Sequence, residues 1–225
     1  MATKRKTQPQ SLPRGRHGLP RELIVENQRA RLVSGMIETV AEQGYGKATI
    51  ANVIAAAKVS RKTFYESFAN REDCYRAAYE ATFEFLRERV AAGAEALEWP
   101  DSVRGGLAAL LESLAAHPDL AAFFLISPAG VGDEVSDRHH AAIRELVEVL
   151  LAKMPAAAGA DVSTEVRTEA FAGGLSRLAA MKVSAGGASE LPTLLPDLVE
   201  LFLRPYLGTR EAIRVAQGIG PADRH

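Results

Sequence analysis

The stretch from Thr49 to Phe68, TIANVIAAAKVSRKTFYESF, constrains the fold more than any other part of the sequence. Thr49 is positioned to cap a helix over 50–57 whose Ile50, Val53, Ile54 and Ala57 share one face. Ser60 opens a second helix on which Phe64 and Phe68 stand four apart and point the same way. About three residues, Ala57 to Val59, join the two. Helices of two turns are marginal in water, so both must lean on a third element. That element precedes them: Pro20 suits a helix start, and Leu32, Val33, Met36, Ile37, Val40 and Ala41 recur at helical spacing. Gly44 ends this helix, and Tyr45 folds back on its stripe. Three helices around one small core, with a tight turn before the last, form a helix-turn-helix unit.

The last of the three carries Arg61 and Lys62 in its first turn. Cations there oppose the helix dipole by roughly 0.3–1 kcal/mol each, which points to an anion as the intended neighbour. With Phe64 and Phe68 inward, the outer surface is Arg61, Lys62, Thr63, Tyr65 and Glu66. Lysine and arginine neutralise phosphates or pair with guanine edges, and a carboxylate accepts from cytosine N4. Glu66 reads equally as a solvated residue.

Charge distribution points to an anionic partner, DNA or a membrane surface alike, for the N-terminal part alone, against a chance clustering of charge. Residues 1–80 hold 14 Lys and Arg against 8 Asp and Glu, a net +6, whereas residues 81–225 hold 13 against 20, a net −7. Residues 1–19 are rich in Pro, Gly, Gln and cations, with no apolar periodicity, and read as a flexible basic arm. Domains are expected at 20–69 for the helix-turn-helix, 70–208 for a helical body and 209–225 for a C-terminal tail.

Asn70 caps a fourth helix running through Tyr75, Tyr79, Phe83, Leu86 and Val90, with Asp73 three residues on as in a capping box. Further helices are expected at 101–116, 119–126, 133–153, 162–183 and 194–206. Val, Ile and Thr never alternate in a run bounded by turns, so no strand is expected and the fold class is all-α. Gly173 and Gly174 interrupt a good helical pattern at roughly 1 kcal/mol each, which implies close approach by another backbone.

The segment 49–82, with GYGKATI and the first helix before it, resembles the DNA-binding region of TetR-family transcriptional repressors. Their pattern is Thr, an apolar pair and Ala, then Gly-Val-Ser-x-x-Thr-Phe-Tyr-x-x-Phe, a cap and an acidic helix start. The resemblance covers roughly 21–82. It implies phosphate contact by Thr49, a recognition helix presenting Ser60, Arg61, Lys62, Thr63 and Tyr65, and backbone contact by Arg71. Two positions depart: Lys58 stands for the usual turn glycine, and Ser67 where many members have His. A left-handed Lys58 would be strained by roughly 1–2 kcal/mol. The arm's SLPRGRHG is similar to a Pro-Arg-Gly-Arg-Pro core, so Arg14 and Arg16 are candidates for an A·T-rich minor groove. The alternative is a basic tail that adds only salt-dependent affinity.

The resemblance further implies a homodimer on a palindromic duplex, released by a small effector, with helical effector-binding and dimerisation surfaces in the body. Candidates for the effector wall are Phe83, Trp99, Phe123, Phe124, Phe171 and Leu175; each also reads as ordinary core. Few charges fall on the buried-looking faces of the later helices, so an apolar effector is expected. Ala170, Gly174, Leu178 and Met181 form one stripe on the helix at 162–183, and with Leu198 and Phe202 are candidates for the dimer interface, again against an intrachain core.

No enzyme is expected, and no cofactor or metal. His139 and His140 are adjacent and diverge by about 100° on a helix. His117 with Asp119 is a lone pair, and no third group orients a nucleophile. Cys74, the single cysteine, reads as a small core residue and fits a reducing cytoplasm. The longest apolar run, 120–132, is broken by Ser127 and Pro128, and the arm lacks an apolar face or leader-like segment. No membrane association is therefore expected; the expected location is cytoplasmic, on the nucleoid when DNA is bound. The alternative function is a helical adaptor whose DNA-binding head is inactive.

Overall fold

A computed structural model describes residues 21–155 and 163–219. The described residues form α-helices joined by turns and 3-10 segments, with no strand among them. The chain divides inside its fourth helix, into one unit ending at Ala81 and another starting at Thr82.

The first unit holds α1 (Arg21–Gln43), α2 (Ile50–Ala57), α3 (Arg61–Ser67) and the start of α4 (Arg71–Glu95). Leu32, Met36 and Val40 of α1 are buried, together with Val53 and Ala57 of α2 and Phe64 and Phe68 around α3. These are the centres of the stripes expected from sequence; Val33, Ile37, Ala41, Ile50 and Ile54 at their margins are half-buried. α1 and α2 touch almost backbone to backbone: a Cβ on Gly35 would lie 2.9 Å from both Ala57 N and Val53 O. The sequence reading placed the boundary before α4. Its first turns belong with the head instead, because Cys74 and Tyr75 are fully buried and Tyr75 packs edge-on against Tyr45 at 5.0 Å. Burial pushes the Cys74 thiol up to about 12, so it stays protonated and behaves as a small apolar group.

The second unit continues α4 and adds α5 (Asp101–Ala116), α6 (Pro118–Ile126), α7 (Asp133–Leu151), α8 (Thr164–Ser184), α9 (Leu195–Leu207) and α10 (Thr209–Ala216). α4 and α5 cross where both lack side chains. A Cβ on Gly93 would lie 2.5 Å from Gly105 O, and one on Gly105 would lie 2.3 Å from Gly93 O. Lys153 then closes the end of α4, donating to the carbonyls of Ala94 (3.0 Å), Glu95 (2.7 Å) and Leu97 (2.6 Å). A cation is favourable at a helix C-terminus. Residues 209–216, read from the sequence as the start of a tail, form α10, whose Ala212, Val215 and Ala216 are buried. Its apolar spacing is short, and Gly208 before it reads as a stop.

Candidate nucleic-acid interface and effector hollow

The two short helices of the head carry the caps their sequence demands. Asn52 N–H donates to Thr49 Oγ1 at 3.2 Å, and Thr49 N–H donates to Asn52 Oδ1 at 3.1 Å, a closed capping box. Thr63 N–H donates to Ser60 Oγ at 3.1 Å. Asn70 accepts from Asp73 N–H at 2.8 Å, while the Asp73 carboxylate accepts from Ala69 N–H at 3.0 Å. These bonds set where α2, α3 and α4 begin.

With Phe64 inward, α3 presents its other face to solvent. Arg61, Lys62 and Glu66 are exposed, and Tyr65 is half exposed. Lys62 Nζ lies 3.7 Å from Glu66, an exposed pair whose strength is slight in water. The Arg61 guanidinium sits 6.0 Å from the Tyr65 ring centre. Thr49, Lys58 and Ser60 are exposed beside them, and Thr63 is half-buried. Lys58 has φ 54° and ψ 44°, the left-handed conformation that the turn requires.

Arg71 is engaged inside the head. Its Nη1 donates to Ala48 O at 2.7 Å and Tyr45 O at 3.3 Å, and its guanidinium lies 4.2 Å over the Tyr45 ring. Sequence reasoning missed two further arginines, Arg29 and Arg31 of α1. They donate to Ser67 O (2.8 Å) and Lys58 O (2.7 Å) respectively. No sequence signal marks a surface arginine as a partner of a carbonyl across a fold. Arg14 and Arg16 lie outside the described residues.

Residues 33–78 match the profile of bacterial regulatory proteins of the tetR family. The match falls inside the N-terminal unit. The TetR-type fold extends beyond the head. A fatty acid degradation regulator, FadR, from Bacillus halodurans is 20% identical with a TM-score of 0.65, over 77% of this chain and 96% of its own. FadR of Bacillus subtilis, solved in complex with stearoyl-CoA, is 16% identical at 0.68, over 79% and 97%. A gamma-butyrolactone receptor described as ArpA-like is 19% identical at 0.62, over 87% and 97%. No curated protein sequence matches the chain.

In the second unit a small, partly open apolar hollow lies among α5, α6, α7 and α8. Leu110, Leu111 and Leu114 come from α5, Phe124 from α6, and Ile143 and Leu146 from α7. Leu175 and Ala179 of α8 close it, with Ser176 the polar residue on its wall. Phe124 and Leu175 thus fall on the wall; Phe83, Trp99, Phe123 and Phe171 do not. Phe83 lies under the Arg138 guanidinium at 4.7 Å, and Phe171 packs on Phe202 at 4.3 Å. The leucine stripe of α5 carried no sign that separates wall from core. Next to Phe124, at 5.4 Å between ring centres, His139 is buried. Burial first, and the neighbouring His140 second, lower its pKa to about 4.

The residues expected at a dimer interface separate into two groups. Ala170, Gly174, Leu178 and Met181 lie on an exposed face of α8; Leu178 is 46% and Met181 53% exposed. Leu198 and Phe202 face the other way and are buried within the chain, where Phe202 meets Phe171. Among the described residues no group of His, Cys, Asp and Glu could hold a metal ion. No single described helix is long and apolar enough to cross a membrane.

Proposed function

We propose that this protein is a ligand-responsive transcriptional repressor that binds a palindromic DNA operator as a homodimer and is released by a small apolar effector. The observation that carries the reading is the solvent-facing surface of α3, with Arg61, Lys62 and Tyr65 outward on a helix held by Phe64, inside a segment that matches the tetR family. Thr49, Lys58, Ser60, Thr63 and Glu66 complete the DNA-facing set. Arg71 serves it from behind, and Arg14 and Arg16 of the basic arm add affinity that falls with salt. No catalysis enters this reading, which puts the protein in the cytoplasm.

Two observations support a homodimer. The outer face of α8 joins Val166, Leu178 and Met181, each about half exposed, and Leu201 of α9 is 64% exposed. Gly173 and Gly174 weaken α8, yet a Cβ on either would have nothing within 4 Å. A second copy of the chain, lying close along this face, accounts for both. The effector reading rests on the hollow, whose exposed wall is wholly apolar, aliphatic with one aromatic ring, Phe124. The stearoyl-CoA complex and the gamma-butyrolactone receptor among the fold's neighbours favour a ligand with an aliphatic portion. An effector acts by binding unequally to two arrangements of the dimer, one of which fits successive major grooves.

The test is recovery of bound fragments from random or genomic duplexes at physiological salt. Imperfect palindromes are expected, with half-sites about one helical turn apart. Recovery of asymmetric single half-sites alone would overturn the dimer, and absence of any selected sequence would leave a helical adaptor as the better reading.

A further inference from the structure

The element read here as entering DNA is poorly anchored by packing. α3 is seven residues long and buries Phe64, with Phe68 just after it. The two aromatic rings lie 5.9 Å apart, so the apolar anchorage of α3 is confined to its middle and C-terminal end. Polar contacts add to it. Arg31 Nη2 donates to Lys58 O, in the turn before α3, at 2.7 Å. Arg29 Nη1 donates to Ser67 O, at the far end of α3, at 2.8 Å, with its guanidinium 4.3 Å over the Phe68 ring. Residues two apart on a helix leave it in diverging directions, which lets neighbouring arginines of α1 reach opposite ends of the same rod. The Ser67 bond also places a cation on the C-terminal carbonyls, the favourable end of the dipole.

We infer that Arg29 and Arg31 are positioning residues for base readout, clamping α3 by its two ends rather than neutralising phosphate. The inference rests on reading α3 as the DNA-contacting helix. Its distinctive consequence is a separation of two quantities that phosphate-contacting cations move together. Loss of a clamp leaves the cationic surface intact, so binding to any duplex persists. Selection among duplexes falls, because hydrogen bonds to base edges depend on the angle at which Arg61, Lys62 and Tyr65 arrive.

The experiment uses the full chain and the variants Arg29→Gln and Arg31→Gln. Fluorescence anisotropy against a selected operator and a scrambled duplex of equal length is followed over a series of KCl concentrations. Hydrogen exchange of the DNA-free protein is measured in parallel. Each variant is expected to lose about tenfold in the ratio of operator to scrambled affinity, comparable to one mismatched base pair. Scrambled affinity should change by less than about twofold, with its log–log salt slope unaltered. Amides of 64–68 should exchange several-fold faster while those of 32–40 are unchanged. A slope lower by about one per arginine, with both duplexes weakened alike, would reassign these residues to phosphate and overturn the inference. Unchanged exchange at 64–68 would overturn it too. If the wild-type protein selects no sequence, the DNA reading fails by itself, and the exchange measurement alone decides for or against the clamp.

Discussion

Arg31 Nη2 donates to the carbonyl of Lys58 at 2.7 Å, and Lys58 has φ 54°, the one positive φ among the described non-glycine residues. A hydrogen bond therefore holds a strained peptide in place. An L-residue in this conformation is strained by roughly 1–2 kcal/mol, while a glycine there loses more chain entropy on folding, by about 0.5–1 kcal/mol. Lys58→Gly is thus expected to raise stability by up to about 1 kcal/mol in urea unfolding. The same change removes an exposed cation beside α3, so DNA affinity at low salt should fall and the salt slope should drop by about one. A variant more stable and equally tight on DNA would show that the ammonium of Lys58 does not meet phosphate.

Lys62 and Tyr65 separate two modes of contact. Lys62 is exposed at the tip of α3, opposite the buried Phe64, and Tyr65 lies on its flank, half exposed. Lys62→Ala is expected to change which operators are preferred, and Tyr65→Phe to weaken all operators by a similar factor. A binding-site selection repeated with each variant distinguishes these outcomes, and the reverse pattern would exchange the two roles.

The head was legible in the sequence because its information is local. The Thr49, Ser60 and Asn70 caps are each closed within four residues, and Phe64 and Phe68 declare the buried face of α3 by spacing alone. Lys58 announced its strain by replacing a glycine in a recognisable turn. The clamps of Arg29 and Arg31 span 38 and 27 residues of sequence, and no propensity or period encodes such a pairing. The body was legible only as helices. Whether Leu110 or Phe123 lines a hollow depends on how four helices cross, and both positions satisfy the same apolar pattern. α10 escaped for a different reason: Gly208, with φ 74°, looks like the end of structure rather than a corner between two helices. Leu198 and Phe202 were grouped with the exposed stripe of α8 because sequence gives the period of a helix, but not which neighbour each face meets.

Gly174 offers a test of the homodimer that does not involve DNA. In an exposed helix, Gly→Ala stabilises by about 1 kcal/mol, and among the described residues nothing beyond the adjoining stretch of α8 itself lies within 4 Å of the added Cβ. Gly174→Ala should therefore raise the stability of the isolated chain. If a second α8 crosses there, the same methyl group should weaken the dimer by tenfold or more, as overpacking of roughly 1–3 kcal/mol implies. Sedimentation equilibrium of the variant decides between them, since unaltered self-association would remove the glycines from the interface.

His139 gives the fold a predictable acid sensitivity. Its pKa is lowered from the ordinary 6.5 to about 4, first by burial and then by His140. In the unfolded chain the imidazole takes up a proton as pH falls below about 6.5, while in the folded chain it resists until about 4. The contribution of a neutral, buried His139 is thus complete above the ordinary pKa and is lost progressively across that window, by at most about 3 kcal/mol. Urea midpoints measured between pH 7.5 and 4.5 should fall, and His139→Leu should flatten the decline. A wild-type protein with no loss over this interval would mean that the ring is solvated.

The apolar hollow can be closed without touching the head. Ala179 is 2% exposed and lines it from α8, as Leu111 and Leu114 do from α5. Ala179→Leu places three further carbons there; each buried methylene is worth about 0.8 kcal/mol when it displaces nothing, so an open hollow should accept them with little loss of stability. A ligand that needs that space then has nowhere to go. Saturated fatty acids and their CoA thioesters, chosen for their aliphatic chains, serve as probes in competition with a fluorescent apolar dye. The expectation is that at least one chain length displaces the dye from the wild-type protein and lowers its operator affinity. The variant should bind operator as well as wild type yet respond to none of the probes. Operator release that persists in Ala179→Leu would place the effector elsewhere in the body, whereas loss of operator binding without any probe would mean that the hollow sets the resting state of the protein rather than its response.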